Sequence, residues 1–157
     1  MAHMDFQRDH KVAVKTEQQV TDFLLAKYPG LKFEHFCGTA DYDVAFSWPG
    51  RQELIKVEIK EDFTCKRTGN VGLEFSCRGK PSGISISKAD RYIYKVHRPD
   101  GRIVLYSIPT DKLKRMVKNH DYSGPPVNGG DPGSNSMNYL FKLGMVEHRF
   151  DHLGDVE

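Results

Sequence analysis

The sequence has too few cysteines, in the wrong arrangement, for a disulfide scaffold or a zinc-binding module. Its three cysteines, Cys37, Cys65 and Cys77, are an odd number and form no CxxC pair. Disulfide frameworks and zinc sites use paired or clustered cysteines, so we expect free thiols and a reducing cytoplasm. The seven histidines form no HExxH or HxH arrangement, and a histidine metal site is not expected either.

Long apolar runs are also missing. No segment approaches the roughly 20 apolar residues that cross a bilayer, and no signal-peptide core follows the N-terminus. Residues 1–4 look like residues added for expression and are left out of the fold prediction. The chain has 157 residues, of which 38% are hydrophobic. Because this length suits one domain with a hydrophobic core, and no repeat or linker interrupts it, we predict a single domain over residues 1–157.

Charge of one sign is not in excess overall, since the net charge is only +2, but its distribution is uneven. Residues 56–102 contain eleven Lys and Arg against six Asp and Glu, whereas residues 121–157 contain two against six. A basic middle segment favours a polyanionic ligand, although it is also what an ordinary solvated surface contains.

The hydrophobic periodicity predicts an α/β fold. A helical period over residues 11–27 ends at Pro29-Gly30, and period-two alternation marks several strands. The predicted strands cover residues 33–36, 43–48, 53–61, 71–77, 92–97 and 103–108. Ser87 is expected to cap a short helix over residues 88–91, and Thr110 a further helix. Residues 121–138 are predicted to be a flexible loop, and residues 139–150 a last strand or hairpin.

Two neighbouring predicted strands carry the most informative side chains. In residues 43–48 and 53–61 the apolar side chains alternate with polar ones, so Glu58 and Lys60 share one face and Asp43 lies on the polar face of the strand before. Two carboxylates, with the main-chain carbonyl of Ile59, suit Mg²⁺. Lys60 is expected to orient or help deprotonate an attacking water and to offset phosphate charge. A strand with a merely solvated face has the same alternation.

An acid also lies on the apolar face of the first predicted helix. Glu17 precedes Val20 by three residues and Leu24 by seven, which places it on their stripe. Because an unpaired buried charge is costly, Glu17 either has a functional partner or reaches solvent at the edge of the stripe.

With these residues, the segment from about Lys15 to Val96 resembles the PD-(D/E)XK nuclease superfamily. The resemblance rests on a helix acid, then Asp41-Tyr42-Asp43-Val44, then Val57-Glu58-Ile59-Lys60. It implies a restriction-endonuclease-like core: a mixed central sheet, beginning with an antiparallel meander, flanked by helices. It also implies that Asp43 and Glu58 are the Mg²⁺ ligands, with Mn²⁺ as a substitute. Lys60 is then the catalytic lysine, and Glu17 the auxiliary acid.

The sequence departs from the family pattern at two places. Tyr42 stands where the family has a proline, so Asp41 competes with Asp43 for the ligand role. We favour Asp43 because Val44 continues the apolar face of the strand. Glu74, Lys80 and Ser82 occupy the region where resolvase-like members often carry a glutamine.

Two loops rich in small and basic residues flank the strand that carries Glu74. Glycine and serine leave main-chain N–H groups open to an anion, and the neighbouring cations add charge. We therefore expect DNA contacts here, although two ordinary turns have the same composition. The expected contacts are Lys66, Arg67, Arg78, Lys80 and Ser82.

The small size and the helix acid resemble archaeal-type and phage Holliday-junction resolvases, which are homodimers. This resemblance implies a DNA endonuclease selective for branched DNA, in the cytoplasm of a bacterial or archaeal host cell and in some cases phage-encoded. Alternatives are a phage or repair nuclease acting on ends, flaps or single strands, and a catalytically inactive nucleic-acid-binding module. The face formed by Tyr92, Tyr94 and Val96, and residues 139–150, are the expected dimer contacts unless these aromatics belong to the core.

Overall fold

The computed structural model describes residues 2–129 and 135–157, with side chains described from residue 10 onward. The helices are α1 (Ala2–Lys27), α2 (Cys65–Thr68), α3 (Thr110–Lys118) and α4 (Leu143–Val146). Short 3-10 helices cover Gly83–Ser85 and Glu147–Arg149. The strands are β1 (Lys32–Phe36), β2 (Val44–Ser47), β3 (Ile55–Asp62), β4 (Asn70–Cys77), β5 (Lys80–Pro81), β6 (Arg91–His97), β7 (Ile103–Pro109), β8 (Val127–Asn128), β9 (Met137–Lys142) and β10 (Asp151–Val156).

The main sheet confirms the predicted α/β class and its mixed strand directions. Among the described residues it has six strands in the order β1-β2-β3-β6-β7-β10. The first three form an antiparallel meander, and β6 then pairs parallel to β3, with Glu58 beside Tyr92 and Lys60 beside Tyr94. Strands β7 and β10 continue the sheet in antiparallel pairs.

A second, smaller sheet has the order β5-β4-β9-β8, with every pair antiparallel. It was not expected from the sequence. It is inserted between β3 and β6 in the chain, and β8 and β9 join it from the C-terminal half. Within this sheet, β4 pairs with β9 from a segment more than 60 residues later in the chain. Leu73, for example, lies opposite Tyr139.

Apolar clusters cover both faces of the main sheet. On one face Val20 and Leu24 of α1 pack against Val57, Ile59 and neighbouring side chains. The opposite face packs against the second sheet, α3 and α4 in a larger cluster. In this larger cluster Tyr92, Tyr94 and Val96 are at most 1% exposed. They belong to the core, so they are not the dimer contacts considered from the sequence.

The predicted short helix over residues 88–91 is wrong. The main-chain N–H groups of Lys88 and Asp90 donate to the carbonyls of Asp41 and Lys56, and Arg91 already begins β6. Ser87 accepts a hydrogen bond from the Ala89 N–H at 3.2 Å, which is a local turn rather than a helix cap. Long-range hydrogen bonds have replaced the helical ones.

The other predicted helices form with different ends. Helix α1 begins nine residues before the predicted start at Lys11, since residues 2–10 contain no glycine or proline to stop it. Thr110 is the first residue of α3 and makes no side-chain capping bond; Pro109 precedes it as the cap residue. Leu113 and Met116 are buried as predicted.

The C-terminal prediction needs correction. The expected loop over residues 121–138 contains β8 and the start of β9, while residues 130–134 lie outside the described residues. Of residues 139–150, predicted as a last strand or hairpin, residues 139–142 are in strand β9, but the rest form no hairpin with it, because Leu143 and Val146 turn into the larger core as α4. The unpredicted strand β10 then forms the edge of the main sheet. In the described part of the chain, no helix combines the length and apolar character needed to cross a membrane.

Candidate active site at the open edge of strand β3

Strand β3 is longer than its neighbour β2, and Asp43 bridges the gap. The register places Val44, the first residue of β2, beside Val57. The second half of β3 therefore extends beyond β2. The Asp43 N–H donates to the Val57 carbonyl at 2.9 Å, and the Ile59 N–H donates to Asp43 Oδ2 at 2.6 Å. A side-chain oxygen thus satisfies a strand N–H that lacks a ladder partner. This hydrogen bond uses Asp43 Oδ2, and within the described residues none is found on Oδ1.

Glu58 and Lys60 lie next to Asp43 on the same face of the sheet, as predicted. The Lys60 ammonium is 3.3 Å from Glu58 Oε1. The Glu58 side chain is only 10% exposed, whereas that of Lys60 is 41% exposed. The buried acid therefore faces the protein, and the lysine extends from it toward solvent.

Glu17 approaches the same edge from helix α1. Glu17 and Lys60 line one cavity of about 560 Å³, together with Thr16, Ile59, Glu61 and other residues. Helix and strand therefore present an acid and a lysine to a common space. Of the two alternatives left open by the sequence, a functional partner or a side chain at the solvent edge, neither is decided by this position: Glu17 is half-buried and lines the cavity beside Lys60.

Burial raises the pKa of all three acids, and the charge of Asp43 adds to the rise at Glu17 and Glu58. Burial raises the pKa of Glu58 to about 7, with Lys60 opposing the rise and Asp43 adding to it. Burial also raises the pKa of Asp43 and of Glu17, and the Asp43 charge adds to the rise at Glu17. Burial alone would lower the pKa of Lys60, but the charges of Glu58 and Asp43 outweigh it, so this pKa is raised. Excess negative charge of this kind is relieved by a cation.

Asp41 does not lie at this site. Its carboxylate is 3.9 Å from the ammonium of Lys88 in a solvent-exposed pair, and its carbonyl accepts the Lys88 N–H. Of the two aspartates that the sequence left in competition, Asp43 is the one that contacts β3.

A second cavity, of about 640 Å³, lies on the other side of Lys60 between the two sheets. Glu74 is on its far wall and accepts hydrogen bonds from the hydroxyls of Ser82 and Ser136. The Ser82 N–H donates to the Phe75 carbonyl. Both donors of Ser82 are therefore engaged within the protein, and Ser82 positions Glu74 instead of reaching outward.

The four basic residues expected to contact DNA lie in two groups at opposite ends of β4. Lys66 and Arg67 are exposed on α2, and Arg67 lines the larger cavity. Arg78 and Lys80 are exposed at the β4–β5 turn, where Arg78 has a φ of 54°. The seven-residue separation along β4 corresponds to about 24 Å. The two groups are therefore spaced to contact different parts of an extended ligand.

Sequence reasoning missed a buried polar network beneath α1. Glu61 accepts a hydrogen bond from Thr16, lies 2.6 Å from His97 Nε2 and is 3.3 Å from the Lys95 ammonium. These contacts lower the pKa of Glu61 against the effect of burial, which alone would raise it. The available signal was the position of Glu61, which follows Ile59 by two and so falls on the apolar face of β3.

The donor set fits one hard cation that keeps part of its water shell. Asp43 and Glu58 supply carboxylate oxygens, and the Ile59 carbonyl is between Glu58 and Lys60 in sequence. Among the described residues, no group of three or more His, Cys, Asp and Glu side chains is arranged to hold a metal. Mg²⁺ is commonly held by one or two carboxylates and several waters, so this sparse set suits it better than Zn²⁺ or a Ca²⁺ cage.

Compared with family models, curated proteins and solved structures, the chain matches none of them. Any family assignment is therefore a proposal that rests on the residues of the site.

Proposed function

We propose that this chain is a Mg²⁺-dependent DNA endonuclease of the PD-(D/E)XK superfamily. The observation that carries the proposal is the convergence of Asp43, Glu58 and Lys60 at the open edge of β3, with Glu17 beside them from α1. Each residue type has a role in phosphodiester hydrolysis: carboxylates hold a cation, and a lysine offsets phosphate charge.

The strand order supports a restriction-endonuclease-like core. Helix α1 precedes an antiparallel meander, and a parallel strand, β6, is added beside the strand that carries Glu58 and Lys60. One departure is the connection from β3 to β6. It contains α2, a 3-10 helix and two strands of the second sheet in place of a long helix.

Asp43, Glu58 and the Ile59 carbonyl would hold the cation. When bound, Mg²⁺ supplies Lewis acidity to a phosphate oxygen and lowers the pKa of an attacking water. The bond from Ile59 N–H fixes the Asp43 carboxylate while leaving Oδ1 for a ligand. Glu17 is the auxiliary acid, placed to hold a water by hydrogen bonding.

Lys60 acts as a fixed positive charge in this proposal. The neighbouring carboxylates raise its pKa in the metal-free protein, which favours a protonated lysine over a base that activates water. A protonated lysine can hydrogen-bond to the scissile phosphate and offset charge that develops in the transition state. Its 41% exposure leaves the ammonium accessible to substrate.

We further propose selectivity for branched DNA and action as a homodimer, as in resolvases. The described part of each chain offers one such site, whereas opposed strands of a four-way junction must both be cut. A two-fold dimer supplies two sites of matching geometry. The basic groups at the ends of β4 would contact the phosphate backbone along one arm of the junction. Such contacts position a protein on DNA without reading its sequence.

A panel of labelled substrates tests the proposal. Four-way junction, flap, linear duplex and single strand are incubated with Mg²⁺, Ca²⁺ or EDTA, and sedimentation gives the mass of the protein. We expect paired cuts in the junction with Mg²⁺, none with EDTA, and a dimer. Cutting confined to flaps, ends or single strands by a monomer would favour the repair-nuclease alternative, which the cavity beside Lys60 also suits. Binding without any cutting would favour an inactive module.

A further inference from the structure

We propose that Phe63 is a base-stacking residue, and that the strand to be cut is unpaired where it meets this ring. The inference rests on the proposed nuclease function and deepens it, because it specifies the state of the substrate. Phe63 follows directly after β3, three residues beyond Lys60. It is 52% exposed, which is unusual for a phenylalanine that has a fixed partner.

The partner of Phe63 is His97. The two rings are stacked, with centroids 4.5 Å apart and planes inclined by 27°. His97 is itself held by Glu61, at 2.6 Å, and Glu61 is held by Thr16 and Lys95. The buried network beneath α1 therefore orients the Phe63 ring from one side, while much of its surface stays in solvent. A ring that is presented in one orientation loses little entropy when a base stacks on it.

Phe63 also lies where a strand would have to pass. It lines both the 560 Å³ cavity that contains Glu17 and the 640 Å³ cavity between the sheets, and Lys60 and Glu61 are shared by both as well. Three residues of extended chain span about 10 Å, so a phosphate beside Lys60 would have a neighbouring base within reach of the ring.

The larger cavity has room and chemistry for an unpaired nucleotide. Its volume of about 640 Å³ falls within the range of ligand pockets. Arg67 supplies positive charge at its rim, and the Asn138 side-chain oxygen supplies an acceptor for a base edge, while its amide nitrogen donates to Ser136. The three carboxylates that line it are already engaged: Glu61 pairs with Lys95 and His97, Asp62 accepts the N–H groups of Cys65 and Gly72, and Glu74 accepts two serine hydroxyls. They therefore repel a polyanion less than free acids would.

A paired base cannot use this arrangement, because its faces are covered by its neighbours in the duplex. A base at a branch point, in a flap or in a single strand has a free face, and stacking on an aromatic side chain is tolerant of sequence. The structure thus assigns the preference for branched or single-stranded DNA to Phe63 and not to a base-reading module.

The test measures binding without cleavage. All variants are made in a Glu58→Gln background, and anisotropy gives their affinity for a labelled single strand and for the matching duplex. Phe63→Leu keeps an apolar side chain but loses the ring, and should weaken single-strand binding roughly 5- to 150-fold while leaving duplex binding unchanged. Phe63→Trp should retain it. Phe33→Leu changes a phenylalanine that is 41% exposed on β1 and lines neither cavity, so it should have no effect.

A fluorescent base analogue in the strand gives a second readout, which reports stacking directly and not through affinity. Its emission should be quenched when the protein with native Phe63 binds, and less so with Phe63→Leu. Single-strand binding by Phe63→Leu within twofold of the parent, or an equal loss for duplex, would overturn the inference. Failure of the nuclease proposal is a separate result, in which the chain with native Glu58 leaves the same strands uncut in Mg²⁺.

Discussion

Asp43 and Ile59 are joined by a 2.6 Å hydrogen bond from the Ile59 N–H to the Asp43 carboxylate, across the edge where β2 has ended and β3 continues. This contact fixes the first of the two proposed cation ligands directly beside the second, since Glu58 precedes Ile59. It also means that the two ligands are held by backbone geometry and not by flexible side-chain contacts alone.

Replacing Asp43 by Asn should abolish cleavage without unfolding the protein. An amide oxygen can still accept the Ile59 N–H, but it no longer offers a charged ligand, so we expect a loss on the order of 10³-fold in rate. The melting temperature should stay within a few degrees of the unmodified protein. Asp41→Asn is the matched control, because Asp41 has only an exposed pair with Lys88. If Asp41→Asn is inactive and Asp43→Asn active, the ligand assignment is wrong.

Replacing Glu58 by Gln should stabilise the metal-free protein at high pH. The folded-state pKa of Glu58 is about 7, against 4.5 without the fold, so the folded protein holds this proton more tightly. The acid therefore costs nothing below pH 4.5, becomes destabilising between pH 4.5 and 7, and costs most above pH 7. We expect Glu58→Gln to raise stability by up to about 3 kcal/mol at pH 8 in EDTA.

This gain should nearly disappear at pH 4.5, where Glu58 is protonated in the folded state and half protonated in the unfolded state. Thermal unfolding at the two pH values measures the difference. Equal effects of the substitution at both pH values would show that the negative charge of Glu58 does not destabilise the folded protein.

Substitutions at Lys60 distinguish a role as a fixed positive charge from a role as the base that activates water. Lys60→Ala should slow cleavage by roughly 10²- to 10³-fold while DNA affinity changes little. Lys60→Arg keeps the positive charge but cannot accept a proton near neutral pH, and the partly exposed side chain has space for it. Much of the rate should therefore return in Lys60→Arg. An arginine variant as slow as Lys60→Ala would instead indicate that a neutral lysine is the base.

DNA affinity should fall steeply with salt, because lysine and arginine displace counterions from phosphates. Each lost contact with duplex lowers the slope of log affinity against log salt by about 0.9. The Lys66→Ala/Arg67→Ala and Arg78→Ala/Lys80→Ala double variants should each reduce the slope by up to about 2. Arg102→Ala, which removes an arginine that is paired with Asp155 and lines neither cavity, should not. Unchanged slopes in both double variants would show that these basic groups do not contact the DNA.

The part of the site that could be predicted from sequence is the part that follows a local period. Alternation along two strands placed Asp43, Glu58 and Lys60 on one face, and the structure has them there. The helical period likewise placed Glu17 on the inner side of α1. Periodicity needs no knowledge of distant partners, so it survives folding.

What could not be predicted depends on partners that are distant in sequence. The expected helix after Ser87 is lost because Lys88 bonds to Asp41, 47 positions earlier. The second sheet arises because β4 pairs with β9, and the support of Phe63 depends on His97. None of these contacts can be predicted from one short segment of the sequence.

The most direct test of the account is the rate of strand cleavage against Mn²⁺ or Mg²⁺ concentration for the unmodified protein and for Glu58→Gln, purified in parallel and assayed at pH 8. The account predicts a saturable rise for the unmodified protein, no cleavage in EDTA, and no cleavage by Glu58→Gln at the cation concentration that saturates its parent. Cleavage in EDTA, or equal cleavage by the two proteins, would contradict it.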